Sequence, residues 1–246
     1  MKLLAIDTST EACSAALAAG ERRFYREHTA TRGHAELILP MVDELLREAG
    51  LSLRELDGVA FARGPGSFTG VRLAASTVQG LAFGAGLGVI AVSSLEAAAL
   101  RALELALAAG VTPKRVLVCN DARMNEVYSA LYECTASGDF ALLGREQVTS
   151  AARIIEQHSD GLVQGSGQSK GRSTVPCIGA GHGFTAYPEL ASLAGLLAIY
   201  PDALPRAREV LALALPRAQQ GLLLSAKDAQ PVYVRDDVAK IPAARA

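Results

Sequence analysis

Residues 1–20 read MKLLAIDTSTEACSAALAAG, two short apolar runs parted by a few polar residues, and this stretch decides how the chain begins to fold. Residues 2–6 read as a buried strand that closes on Asp7. Ala12–Ala19 reads as a second strand, and the short polar break Thr8 to Glu11 is a hairpin spacing. Gly20-Glu21 makes the next turn, and Arg22–His28 reads as a third, partly exposed strand.

Working outward, a helix is expected at about His34–Ala49, ended by Gly50. Its apolar residues Leu37, Ile38, Leu39, Met41, Val42, Leu45 and Leu46 span an arc of roughly 200°, against the ~100° that one core face needs. Gly58–Ala62 reads as a strand. The loop Arg63-Gly64-Pro65-Gly66-Ser67 follows, then a helix from about Thr69 to Phe83. That helix is rich in small residues, among them Gly70, Ala74, Ala75, Ser76, Gly80 and Ala82, which let another backbone come close. Leu87–Val92 and Ser94–Ala109 complete the series as strand and helix. Three strands followed by alternating helices and strands imply an α/β fold with a mixed sheet and helices on its faces.

Thr112-Pro113 marks a boundary. Strands are expected again at Arg115–Asn120, Glu126–Glu133 and Ala141–Val148, before a helix at Ala151–His158, so the second half echoes the first in element order. The polar, glycine-rich stretch 159–174 reads as a flexible surface loop. Cys177–Gly183 reads as a strand running into a glycine turn, and a C-terminal helix is read at about Pro205–Leu224, broken or offset near Pro216. The domain expectation is a first lobe at 1–111 completed by a C-terminal helix within 205–240, a second, smaller lobe at 112–204, and a disordered tail at 241–246. The 246 residues suffice for two such lobes.

Composition excludes several classes. With 24 basic and 25 acidic residues the chain lacks the excess of a free-standing nucleic-acid binder. Cys13, Cys119, Cys134 and Cys177 form no CxxC or Cys/His cluster and read as structural thiols of a reducing compartment. His28, His158 and His182 are isolated, so no histidine is given a metal role, and no GxSxG elbow occurs. The N-terminal apolar run stops at Asp7, too early for a signal peptide, and no run reaches membrane-spanning length, so no membrane role and a cytoplasmic location are expected.

Two segments could carry chemistry. In the first, Asp7, Thr8 and Ser9 follow a strand end, where backbone N–H groups and hydroxyls hold phosphate and a carboxylate faces a cation; a plain Asx or Ser/Thr turn is the other reading. In the second, Gly66, Ser67 and Thr69 lead into a helix whose N-terminus can receive an anion, with Arg72 in its first turn; a capped structural turn is the alternative. Neither a Walker loop nor a GxGxxG fingerprint is present. His34 stands before an apolar helix as a cap or partner contact. Asp121-Ala122-Arg123 follows a strand, either at a cleft between lobes or as a salt-bridged loop.

Taken together, IDTST at 6–10, GPGSFTGVR at 64–72, DARMNEVY at 121–128 and PVYVRDDVA at 231–239 resemble the TsaB (YeaZ) family, across nearly the whole chain and in order. The resemblance implies an actin/Hsp70/sugar-kinase-like fold of two RNase H-like lobes with mixed sheets. It implies pairing with a TsaD-type catalytic subunit, joined by a TsaE-type ATPase, in transfer of a threonylcarbamoyl group to the adenosine beside the tRNA anticodon. tRNA is then met through the complex, and ATP and a metal belong to the partner subunits, with no cofactor required by this chain. In TsaD an HxxxH pair binds the catalytic metal; Ser94 and Ala98 occupy the matching places here, and a hydroxyl and a methyl cannot replace two imidazoles. The expectation is a non-catalytic scaffold or activating subunit, with Asp7, Thr8, Ser9, Gly66, Ser67 and Thr69 a degenerate phosphate site. The alternative is an ATP-hydrolysing or phosphotransferring enzyme of the same fold. No nucleophile–base spacing supports a peptidase. The expected partner surface is His34, Leu37, Ile38, Leu39, Met41, Val42, Gly70 and Ala74, with Leu37 and Leu39 its outward edges; the same strip is expected to form a homodimer when TsaD is absent.

Overall fold

The computed structural model describes residues 1–29, 33–135, 140–158 and 175–234. The loop at 159–174, the tail at 241–246 and the stretch 235–240 lie outside the described residues.

The first sheet is built from β1 (Lys2–Asp7), β2 (Ala12–Ala19), β3 (Arg22–Thr29), β4 (Gly58–Ala62) and β5 (Val89–Val92), in the order β3-β2-β1-β4-β5. The first three strands pair antiparallel, as the hairpin spacing requires, while β4 and β5 lie parallel to β1. β1, β2 and β4 are buried almost throughout because helices cover both faces, which is why they read as unbroken apolar runs rather than alternating ones. On one face Leu4, Ile6, Leu17 and Phe61 pack against Ile38, Val42 and Leu45 of α1 (His34–Ala49) and Val78 of α2 (Phe68–Ala85). The alternate residues Leu3, Ala5, Ala16 and Ala60 meet Val210, Leu211 and Ala214 of the last helix on the other face.

The second sheet repeats this plan. β6 (Arg115–Arg123), β7 (Glu126–Cys134) and β8 (Phe140–Thr149) are antiparallel neighbours, and β9 (Cys177–Ala180) and β10 (Leu196–Tyr200) run parallel to β6, in the order β10-β9-β6-β7-β8. Read from its other edge this is the order of the first sheet, with the same strand directions. Two such sheets in one chain make the actin/Hsp70/sugar-kinase-like architecture. α3 (Ser94–Ala108) lies between the halves. Its Ala97 joins the last helix and the first sheet, while Leu95, Ala98, Ala99, Ala102 and Ala106 pack on the second. α4 (Ala151–Gln157) and the short α5 (Gly183–Ala186) contribute Ile154 and Phe184 to the far face of the second sheet.

Two expectations need correction. The last helix, α6, runs Ala207–Gln219, not on toward 240. Gly221 takes φ 75, and the Leu222 N–H donates to the Arg217 carbonyl at 3.0 Å, a left-handed stop that closes the helix. α6 is also unbroken at Pro216: the proline and Ala212, whose carbonyl loses its donor, both face solvent. β10, with Gly195 before it and Pro201 after, went unread.

The tightest joint in the first half is between the β1–β2 turn and the start of α2. The Ser67 N–H donates to the Ser9 carbonyl at 2.8 Å, and the Thr8 hydroxyl donates to the Gly70 carbonyl at 2.7 Å. A side chain on Gly70 would overlap the Thr8 carbonyl oxygen. Gly70→Ala is therefore expected to cost about 3 kcal/mol or more in urea unfolding. Gly80→Ala, in open space on the same helix, should gain up to about 1 kcal/mol. Equal stability of Gly70→Ala and the parent would show that turn and helix are not locked together.

Candidate functional site

A cleft of about 1340 Å³ opens where the strand ends of both halves converge. Its walls are the β1–β2 turn, the starts of α1 and α2, the β6–β7 turn with His182, and residues 232–234. Thr8, Ser9, Gly66, Ser67, Thr69 and Gly70 do come together along one wall. They do so by packing on each other. A Cβ on Gly66 would stand 2.5 Å from the Ser9 carbonyl oxygen, and that carbonyl already takes the Ser67 N–H. Ser67 caps α2, its hydroxyl accepting from the Gly70 N–H at 3.5 Å.

Asp7 does not join this wall. Strand alternation turns its side chain to the α6 face, where it is fully buried. One carboxylate oxygen accepts the Ser9 N–H at 2.8 Å, and the other has no hydrogen-bond partner among the described residues. Burial pushes its pKa up to about 7, partly offset by the Ser9 hydrogen bond and reinforced by Glu209 and Glu27. Glu209, equally buried, is held by Arg206 at 2.6 Å.

Arg72 is committed as well. Its guanidinium carbon lies 3.3 Å from the centre of the Phe68 ring and 4.8 Å from that of Tyr233, and it donates to the Phe68 carbonyl. Asp121 sits at the cleft and is salt-bridged too, taking the Arg123 backbone N–H and guanidinium at 2.8 Å each. Arg123, Met124 and Asn125 all take positive φ, a turn that sets Met124 80% exposed at the cleft mouth. His34 is the first helical residue rather than the cap, which is Gly33, and its Nε2 lies 3.0 Å from the Thr10 carbonyl.

A carboxyl sealed from the cleft, with loops filled by their own backbone, does not fit a metal-bound phosphate. Ser94 and Ala98 are both fully buried, Ala98 in the cluster shared with the second sheet. Among the described residues no cluster of three His, Cys, Asp or Glu side chains is placed to hold a metal. All four cysteines are free; Cys13, Cys119 and Cys177 are buried and Cys134 is half-buried. Burial raises the thiols, Cys13 to about 11 and Cys177 to about 12.

The expected partner surface divides on inspection. Ile38, Met41, Val42 and Ala74 are buried in the first core, Gly70 lies under Thr8, and Leu37 is half-buried against the core, so these are not outward positions. Leu39 is outward, 52% exposed. The sequence reading missed Phe83, 84% exposed on α2 between the exposed Gly80 and Gly84. The signal was there in the i, i+3, i+4 spacing of two glycines around a phenylalanine.

Fold and site thus define a two-lobed actin-type protein in which the β1–β2 turn and the start of α2 are packed on each other. The family model for "TsaD: tRNA N6-adenosine threonylcarbamoyltransferase" matches residues 28–243. The chain is 39% identical to the tRNA threonylcarbamoyladenosine biosynthesis protein TsaB of Haemophilus influenzae, over 97% of this chain and 95% of that one. It is 37% identical to TsaB of Escherichia coli, over 98% and 99%. The solved structure of YeaZ from Pseudomonas aeruginosa superposes with a TM-score of 0.78 at 38% identity, covering 94% of this chain and 99% of that one. The chain belongs to the TsaB family of tRNA threonylcarbamoyladenosine biosynthesis proteins.

The raised Asp7 has a measurable consequence. The folded chain keeps a proton that the unfolded chain releases, so Asp7 favours folding fully below about pH 4 and loses that contribution as pH rises through about 7. Asp7→Asn keeps the acceptor for Ser9 and carries no charge. Its stability relative to the parent should climb between pH 4.5 and pH 8, by up to roughly 4 kcal/mol, and level off above. Any cost of the new amide is independent of pH. Urea titrations of both proteins at three pH values give the difference directly; a constant difference would mean Asp7 ionises freely in the fold.

Proposed function

We propose that this chain is a non-catalytic scaffold and activating subunit of the assembly that transfers a threonylcarbamoyl group to the adenosine beside the tRNA anticodon. The observation that carries the reading is the pair Ser94 and Ala98, buried and without a metal-binding atom pair at the places where a TsaD-type subunit holds two histidines. The role of the TsaB family implies a TsaD-containing complex. A TsaE-type ATPase joins it, tRNA is met through the complex, and ATP and the metal sit in the partner subunits, so this chain needs no cofactor. The setting is the cytoplasm; among the described residues no helix is long and apolar enough to cross a membrane.

The docking face in this reading is the outer side of α1 and α2, where Leu39 and Phe83 expose apolar surface. The small residues Ser76, Gly80 and Gly84 on the same outer side of α2 let a partner helix approach closely. The same face pairs with a second copy when the catalytic subunit is absent.

Reconstitution tests the first claim. The isolated chain, given threonylcarbamoyl-AMP and unmodified tRNA, should yield no modified nucleoside on digestion, and addition of the host's TsaD-type subunit should restore it. Turnover by the chain alone would overturn the reading. For the face, Leu39→Glu and Phe83→Glu should each shift stability by less than about 0.5 kcal/mol, since both side chains are solvated. Both should abolish capture of the TsaD-type subunit and any homodimer seen by light scattering. Normal capture by both variants would place the interface elsewhere.

A further inference from the structure

β7 and β8 pair in one register from Val127↔Thr149 to Ser129↔Gln147 and in another from Leu131↔Leu143 to Cys134↔Phe140. Between the two, Ala130 alone stands opposite Gly144, Arg145 and Glu146, with Gly144 at φ 86. A bulge of this kind bends an edge strand and re-aims a side chain. Here the side chain is Glu146. It belongs to the edge strand of the second sheet, yet its side chain is only 9% exposed and reaches Arg63 of the first half. Nη2 donates to Oε1 at 3.2 Å, and Nη1 stands 3.1 Å from Oε2 as an ion pair without hydrogen-bond alignment.

Arg63 is a junction residue. Its N–H donates to the Val92 carbonyl at 2.8 Å, its carbonyl accepts the Val232 N–H at 2.8 Å, and the Gly64–Gly66 turn follows. One guanidinium thus ties the second sheet to the place where β4, the cleft wall and the C-terminal segment meet.

The apolar contact between the halves offers little interlock. α3 is fastened to the first half by the Glu96–Arg217 pair at 2.5 Å and by Ala97. Apart from Leu95 at its start, the face it shows the second sheet is alanine: Ala98, Ala99, Ala102 and Ala106. Short side chains give shallow ridges, over which a packed layer can slide as a shear. Such sliding would part Arg63 from Glu146 while leaving intact the outer cores beneath α1 and α4, which lie within one half each.

We propose that the Arg63–Glu146 pair is a latch that fixes the angle between the two halves. It thereby sets the width of the cleft and the distance from the Arg123–Asn125 turn to the start of α2. The β8 bulge exists to aim this carboxylate, and the alanine face of α3 is the sliding surface the latch restrains. The inference goes beyond the role in threonylcarbamoyladenosine synthesis and is tested on the isolated chain.

The probe is a pair of spin labels, one per half, at the exposed positions Arg54→Cys and Ala152→Cys in a Cys134→Ser background. Cys13, Cys119 and Cys177 are buried, and dilution with unlabelled protein removes signals between copies. Pulsed electron double resonance on the parent should give one narrow distance distribution. Glu146→Gln, which keeps the shape, and Arg63→Met, which keeps the aliphatic stem, should each broaden it at least twofold or add a second distance, with circular dichroism unchanged. A distribution in either variant as narrow as the parent's, at the same distance, overturns the latch.

Discussion

The contact on which the rest depends is the seating of the β1–β2 turn against the first turn of α2. Thr8 and Ser9 each exchange a hydrogen bond with α2 residues, and no side chain fits at Gly70 because the Thr8 backbone occupies the space. This joint sets where α2 lies on the sheet, and so where its outer face and Phe83 point. It also pairs backbone groups of two loops along one wall of the cleft.

A second consequence runs through Asp7. In a live cation site a carboxylate at a strand end faces solvent and a metal. Here it faces α6, beside the buried Glu209, and burial holds its proton to near neutrality. The carboxyl is held by packing and takes no part in lining the cleft. The cleft remains large, and several of the groups around it are committed, while Ser9 Oγ, Asn120 Oδ1 and His182 Nδ1 keep no hydrogen-bond partner among the described residues. Arg72 lies between two rings, Arg123 is on Asp121, and Ser67 is on its own helix. Apolar surface stands outward on α1 and α2 at Leu39 and Phe83, and surfaces of that kind serve association more than chemistry.

Much of the architecture was legible in the chain itself. The bounds of β2, β4 and α1 follow directly from apolar runs bracketed by Gly20, Gly50 and Gly58, since strand and helix periods are local properties. The echo of the first half in the second was readable as element order. Extents failed where a local signal was overridden or unread. Gly221 stops α6 early, Pro216 leaves the helix unbroken with Ala212 on its solvent side, and β10, no shorter than β4, went unread between Gly195 and Pro201. Of the residues expected to face a partner, the structure leaves Leu39 outward and buries Ile38, Met41, Val42 and Ala74. A 200° arc says that some apolar side chains must point outward; only the packing of α1 on the sheet selects Leu39 and buries Ile38.

By itself, then, the sequence determined the types and order of most elements and, through its resemblance to the TsaB family, set a hydroxyl and a methyl at Ser94 and Ala98. These are statements about residue type and near neighbours, which covalent order carries. The tertiary structure alone decided that Asp7 turns away from the cleft, that Gly66 and Gly70 are pressed on backbone, that Phe83 is bare, and that Glu146 crosses from an edge strand to Arg63. Each of these depends on which face of an element meets another element far away in the chain, and on a bulge whose register has no local signature strong enough to read.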